Sequence, residues 1–150
     1  MGNICRSPTA EAVFRHAVKA AGLADMIECD SAGTHDYHIG DPPDQRAQHA
    51  ANRRGYDMSQ LRGRQVSRQD FEEFDYVIAM DRRNHALLEA LCPPQYAGKL
   101  ALFCDFHGEF AGREVPDPYY GDPRGFERVL DLIETVSASL IARLRESPSR

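Results

Sequence analysis

The sequence predicts an α/β protein built on a parallel sheet. Three observations carry that prediction. Apolar residues recur at steps of three and four in segments of helical length. Short apolar runs of strand length lie between those segments. The order along the chain is helix, strand, helix, strand, helix, strand, helix, and strands that alternate with helices imply parallel pairing through right-handed crossovers.

The elements follow in turn. Ser7 suits a helix cap and Pro8 a first helical position. Ala10, Val13, Phe14, Ala17, Val18 and Ala21 then share one face, and Gly22 ends the helix. A strand is expected over Ile27 to Ser31, then a loop from Ser31 to Pro43 rich in Gly, Asp, His and Pro. A helix from Asp44 to Arg54 stops at Gly55, and Ser67 to Asp70 opens a short one. Tyr76 to Met80 is an apolar run of the kind buried on both faces of a parallel sheet. Asp81 caps a helix to Leu91, which Pro93 and Pro94 terminate. Lys99 to Cys104 reads as another strand. The last helix, from Gly125 to Glu146, has the best periodicity, through Phe126, Val129, Leu130, Ile133, Val136, Leu140, Ile141 and Leu144. Ligands of such sheets bind outside the carboxyl ends of the strands. The loops to watch are therefore Ser31 to Pro43, Asp81 to Asn84, and the stretch from Cys104 to Asp117.

The 150 residues suit one domain, spanning 1–150, with a core of its own. A net charge of -5 argues against general nucleic-acid binding. No run of about 18 apolar residues could span a membrane, and the N-terminus lacks the pattern of a secretory signal. Cys5, Cys29, Cys92 and Cys104 are irregularly spaced, which suits free thiols in a reducing cytoplasm better than a zinc site or a disulfide framework. His35 and His38 share a loop without a third ligand, so no metal is expected, and no cofactor. The run Arg53, Arg54, Arg62, Arg64, Arg68 reads as a solvated basic face.

Residues Gly2 to Pro8 have the composition of an anion-binding loop. Gly2 lets a backbone N–H approach a ligand closely. Asn3 tolerates the left-handed turn that a nest of N–H groups requires. Arg6 offers a planar fork matched to two phosphate oxygens, and the helix that begins at Ser7 favours an anion at its N-terminus. Arg6 alone reads better as an exposed arginine beside a plain N-terminal cap.

Together, Gly2-Asn3-Ile4-Cys5-Arg6-Ser7-Pro8 and Asp117-Pro118-Tyr119-Tyr120 resemble the low-molecular-weight protein tyrosine phosphatases. Asp30-Ser31-Ala32-Gly33-Thr34, Leu61 to Gln65, Ile78-Ala79-Met80-Asp81 and Gly125-Phe126-Glu127 fit in the same order, so the resemblance covers nearly the whole chain. It implies a three-layer α/β/α fold with a four-stranded parallel sheet in the order 2-1-3-4. It also implies that the nucleophilic cysteine of the family lies two places before Gly2, immediately ahead of Met1. Cys5 does not replace it, because the motif separates its cysteine and arginine by five residues and Cys5 adjoins Arg6. Counted forward from Cys5, the arginine's place holds Glu11, which repels phosphate. The family's first strand precedes the same loop and is absent from this chain. We therefore read the sequence as an N-terminally truncated form. Losing about five buried apolar side chains at roughly 1.5–3 kcal/mol each, from a domain stabilised by about 5–15 kcal/mol, predicts a chain close to unfoldable unless something fills the gap.

The resemblance also implies a mechanism for the full-length form, in which a cysteinyl-phosphate forms and is hydrolysed. Arg6 and the loop residues Gly2, Asn3, Ile4, Cys5 and Ser7 would hold the phosphoryl oxygens of phosphotyrosine or an aryl phosphate. Asp117 would be the general acid and then the base; on local sequence alone a turn-forming Asp-Pro fits as well. Tyr37, Tyr119 and Tyr120 would wall the substrate ring, with plain packing an alternative for Tyr120. Asn3, Ser7 and Ser31 match the network that shapes the loop; Leu61 stands where many members carry a histidine of that network. Asp81 and Asn84 read as helix cap and loop support. Two other readings compete. One is a catalytically dead phosphate-binding relative, which the literal chain would be. The other is an arsenate reductase, disfavoured because Cys92 and Cys104 lie twelve positions apart across two prolines.

Overall fold

The computed structural model describes residues 6–35, 39–117 and 124–146. The first helix, α1, runs over Arg6–Ala20 and buries Ala10, Val13 and Val18. It ends where Gly22 turns to φ +75°. There the Gly22 N–H bonds the Lys19 carbonyl and the Leu23 N–H bonds the Val18 carbonyl, which satisfies carbonyls that the helix end would otherwise leave open.

Helix α2, Gln45–Asn52, is capped by the Asp44 carboxylate, which accepts from the Arg46 N–H at 2.8 Å. Its buried side is Ala47, Ala50 and Ala51, small enough to lie close against a neighbouring helix. Helix α3, Arg68–Glu73, starts with the Asp70 carboxylate reaching back 2.8 Å to the Ser67 N–H. Strand β1 is Val77–Ala79 and strand β2 is Leu100–Leu102. Between them stands α4, Arg82–Leu91, capped by Asp81. The final helix, α5, covers Arg124–Glu146 and turns Val129, Leu130, Ile133, Val136 and Leu140 inward.

β1 and β2 run parallel, with Val77 opposite Leu100, Ile78 opposite Ala101 and Ala79 opposite Leu102. Side chains alternate across that pair. Ile78 and Ala101 join the larger core, built from α1, α2 and α5. Val77, Ala79, Leu100 and Leu102 join a smaller one with Phe71 of α3 and Leu88 of α4. Helices thus cover both faces of the sheet, as a parallel sheet requires.

Three expectations are corrected. Ile27 to Ser31 is not a strand, although Ile27, Cys29 and Ser31 are half-buried and Glu28 and Asp30 exposed. A strand is defined by its ladder, and the pairing recorded nearby is a single parallel bridge between Gly33 and Gln65. The sheet among the described residues therefore has two strands, β1 and β2, where three of the four strands of the order 2-1-3-4 are expected from this chain. The strand expected over Lys99 to Cys104 is shorter, because a 3₁₀ turn ends at Lys99 and another starts at Phe103. Tyr76 to Met80 is not buried throughout: Ala79 and Met80 are buried, but Tyr76, Val77 and Ile78 are half-exposed. They open onto a cavity of about 220 Å³ between β1 and the segment 27–34.

Candidate active site

The carboxyl end of β1 leads straight into Asp81, and everything that gathers there does so around one guanidinium. Arg6, the first residue of α1, is 5% exposed. Its Nη1 donates to Asp81 Oδ2 at 2.7 Å and to the Val115 carbonyl at 2.9 Å. Its Nη2 lies 4.0 Å from Asp117 Oδ2. Asp81 divides its carboxylate between two tasks, because Oδ1 accepts the Asn84 N–H at 2.7 Å and so caps α4. Burial opposes the charge on Asp81, but the Asn84 N–H and the Arg6 guanidinium outweigh it and hold the carboxyl below the usual carboxylate range.

The loop that carries Asp117 is pinned to the sheet. The Val115 N–H donates to the Met80 carbonyl at 2.8 Å, the Val115 carbonyl accepts from Arg6, and the Arg82 N–H donates to Glu114 at 2.8 Å. Val115 is 1% exposed, so a buried residue anchors the loop. Two positions on, the Asp117 side chain is 41% exposed.

On the opposite wall, Asn84 Nδ2 donates to Thr34 Oγ1 at 3.3 Å, which ties the loop after Ala32 to α4. Ser31 Oγ donates to Glu11 Oε1 at 2.6 Å, and Arg15 donates to Glu11 Oε2 at 2.6 Å. Burial pushes the Glu11 carboxyl up from its ordinary value, against the pull of Ser31 and Arg15. Burial opposes the charge on Arg15, but its bond to Cys29 and the Glu11 carboxylate outweigh it and push its pKa up.

The structure therefore brings Arg6, Asp81, Asn84 and Asp117 together. Ser7 is the second residue of α1 rather than its cap. Ser31 bonds Glu11, and Leu61 packs against the larger core. Gly2, Asn3, Ile4, Cys5, Tyr37, Tyr119 and Tyr120 lie outside the described residues.

Two features escaped sequence reasoning. One is the Arg6–Asp81 pair, whose members lie 75 positions apart. The other is the buried Glu11; a carboxylate at the i+4 position from Ser7, inside the apolar stripe of α1, was the available signal. The solvated basic face holds for the exposed Arg53, Arg62 and Arg68 and is corrected at Arg54 and Arg64. Arg54 pairs with Glu127, Asp131 and Glu134 of α5, and Arg64 with Asp30 and Asp70. These arginines bind the molecule's own acidic side chains rather than form a solvated face.

A parallel α/β core thus gathers a buried guanidinium and an exposed carboxylate at the strand ends, where ligands of such sheets bind. Comparison with known proteins makes this specific. The family model described as low molecular weight phosphotyrosine protein phosphatase matches residues 1–150. A low molecular weight protein-tyrosine-phosphatase of Streptomyces coelicolor is 41% identical over 148 residues, covering 97% of this chain and 90% of the relative. The crystal structure of a protein tyrosine phosphatase from Entamoeba histolytica, with Hepes in its active site, superposes with a TM-score of 0.94 at 43% identity, over 98% of this chain and 94% of that one. YfkJ from Bacillus subtilis gives 0.89 at 38% identity, over 98% and 91%. The chain belongs to the low molecular weight phosphotyrosine protein phosphatase family.

Proposed function

We propose that the protein, in a form that supplies the family's thiol two residues before Gly2, hydrolyses phosphotyrosine or a related aryl phosphate through a cysteinyl-phosphate. In that reading residues 1–150 are one catalytic domain. The thiolate attacks phosphorus, an S–P bond forms and the P–O bond to the aryl group breaks. Arg6 and the loop N–H groups of Gly2 to Ser7 hold the equatorial oxygens while charge shifts towards the leaving oxygen. A phenolate, with a conjugate-acid pKa of about 10, leaves far faster when protonated, and Asp117 delivers that proton. The resulting Asp117 carboxylate then takes a proton from the water that attacks phosphorus, which frees the thiolate and inorganic phosphate. Tyr37, Tyr119 and Tyr120 wall the aryl ring.

The observation that carries this reading is the position of Asp117 beside Arg6. An acid 4.0 Å from the guanidinium stands beside any phosphoryl group that the guanidinium binds. Asp81 supports the geometry by holding Nη1, so the rest of the fork can meet oxygen.

A second reading applies to the 150 residues taken alone, as an anion-binding relative without turnover. A reactive thiol has a depressed pKa, whereas burial pushes both Cys29 and Cys104 up. One experiment separates the two. The 150-residue chain and a form extended by a short apolar strand and the cysteine are assayed on an aryl phosphate. Turnover is expected from the extended form alone, with Asp117→Asn lowering kcat by about 10²–10⁴-fold. Turnover by the 150-residue chain, or an Asp117→Asn variant of undiminished kcat, refutes the assignment.

A further inference from the structure

Three consecutive residues, Met80, Asp81 and Arg82, hold both of the charged groups that meet at the site. Asp81 aims the guanidinium, because its Oδ2 accepts from Arg6 Nη1 at 2.7 Å. Met80 and Arg82, on either side of it, hold the loop that carries Asp117. The Met80 carbonyl accepts the Val115 N–H at 2.8 Å, and the Arg82 N–H donates to Glu114 Oε2 at 2.8 Å. The Arg82 guanidinium reaches the same loop further back, where its Nη2 donates to the Gly112 carbonyl. Gly112 is gripped from its other side as well, since its N–H donates to Asp105 Oδ1 at 2.7 Å. Its φ of +83° is one that glycine reaches without strain.

Arg82 and Glu114 thus form a reciprocal clasp, the backbone of one held by the side chain of the other. Arg82 is the first residue of α4, so its N–H has no partner within the helix. Continued as a backbone ladder, the contact would give that N–H to a carbonyl of the loop, just as the Met80 carbonyl takes the Val115 N–H. The Glu114 carboxylate takes it instead, and the positive end of a helix favours a negative group there. The Val115 carbonyl is turned to Arg6, whose Nη1 donates to it at 2.9 Å. The loop is therefore tied to α4 on one side and to the guanidinium on the other, and Asp117 follows two residues later. Arg6 has Asp81 to hold it independently. A loosened clasp accordingly moves the loop and its carboxylate rather than the guanidinium.

We propose that Glu114, clasped with Arg82, is a positioning residue that keeps Asp117 beside Arg6 for proton delivery to the leaving oxygen. This inference rests on the reading of Asp117 as the general acid. Glu114 and Arg82 are both exposed, so neither is needed to fill the core.

The test uses the form extended by the apolar strand and the cysteine. It compares kcat/KM, which covers expulsion of the aryl group, on two substrates. Phenyl phosphate releases a phenolate with a conjugate-acid pKa of about 10 and needs the proton; 4-nitrophenyl phosphate releases a weaker base and needs it less. Glu114→Ala is expected to lower kcat/KM on phenyl phosphate by about 2–30-fold, the range spanned by loss of a helix-cap acceptor, and to lower it less on 4-nitrophenyl phosphate, at an unfolding midpoint close to the parent's. Glu114→Gln keeps an acceptor oxygen and should restore most of the loss. Arg82→Ala keeps the N–H but releases Gly112, and should shift the two substrates in the same sense as Glu114→Ala. In an Asp117→Asn background, Glu114→Ala should cause no further fall on phenyl phosphate.

A Glu114→Ala loss that persists in full in that background, or that is equal on the two substrates, overturns the proposal and leaves the acid assignment standing. Unchanged kcat/KM in both Glu114→Ala and Arg82→Ala does the same. Undiminished kcat/KM on phenyl phosphate in Asp117→Asn by itself refutes the acid, and the proposal with it.

Discussion

Replacing Asp81 by alanine tests the centre of the site, because Asp81 does two jobs with one carboxylate. It caps α4 through the Asn84 N–H, and loss of such a cap costs about 0.5–2 kcal/mol. It also neutralises Arg6, whose side chain is 4% exposed. Breaking a buried pair by removing one partner costs about 3–5 kcal/mol, because the remaining charge stays buried. The Val115 carbonyl continues to accept from Arg6, which places that cost towards the lower end. Asp81→Ala should therefore lose about 3.5–5 kcal/mol, a large fraction of the roughly 5–15 kcal/mol that holds a domain together. Asp81→Asn separates the two jobs. Its amide oxygen still caps α4, so it should keep the cap and lose the ion pair, and the difference between the variants should be about 0.5–2 kcal/mol. Urea unfolding of both variants against the parent measures this. If Asp81→Ala stays within about 1 kcal/mol of the parent, Arg6 does not depend on Asp81, and the account of how the guanidinium is aimed is wrong.

The remaining predictions address core and charge. Ile133 is fully buried in the middle of α5, so Ile133→Ala should cost about 2–5 kcal/mol, read as a lower urea midpoint at unchanged slope. Leu87 is 41% exposed, and Leu87→Ala should cost far less in the same assay. The two unusual carboxylates should give opposite pH signatures. The Glu11 pKa is raised above 4.5 in the fold, so its contribution is fully present below that value and lost as pH rises through the folded value. Glu11→Gln removes that loss, and its stability relative to the parent should improve from about pH 4 to 7. Arg15 does not titrate in this window, so the direction at Glu11 governs. The Asp81 pKa is depressed below 3.8, so its contribution is present above that value and lost as pH falls through the folded one. The cost of Asp81→Asn should accordingly shrink in acid. A Glu11→Gln advantage that does not change with pH, or an Asp81→Asn cost that is larger in acid, would contradict these assignments.

The sequence by itself determined the local elements whose signals are local. Asp44, Ser67 and Asp81 stand where helices begin because a short polar side chain reaches the first free N–H groups within a few residues. Gly22 and Gly55 stand where helices end because they reach positive φ without strain. The stripe from Phe126 to Leu140 specified the inner face of α5 before any partner was known. Only the tertiary structure decided what depends on partners distant in the chain. Ile27 to Ser31 has a strand's alternation, but alternation is a property of a segment and pairing is a property of two. The Arg6–Asp81 bond and the Arg54 ion pairs join positions more than seventy apart. An arginine's environment cannot be read from its neighbours in sequence when the charge that answers it arrives on another helix. The same physics separates Glu11 from an ordinary surface glutamate. Its place in the apolar stripe marked it for burial, but the fold alone delivered Ser31 to meet it.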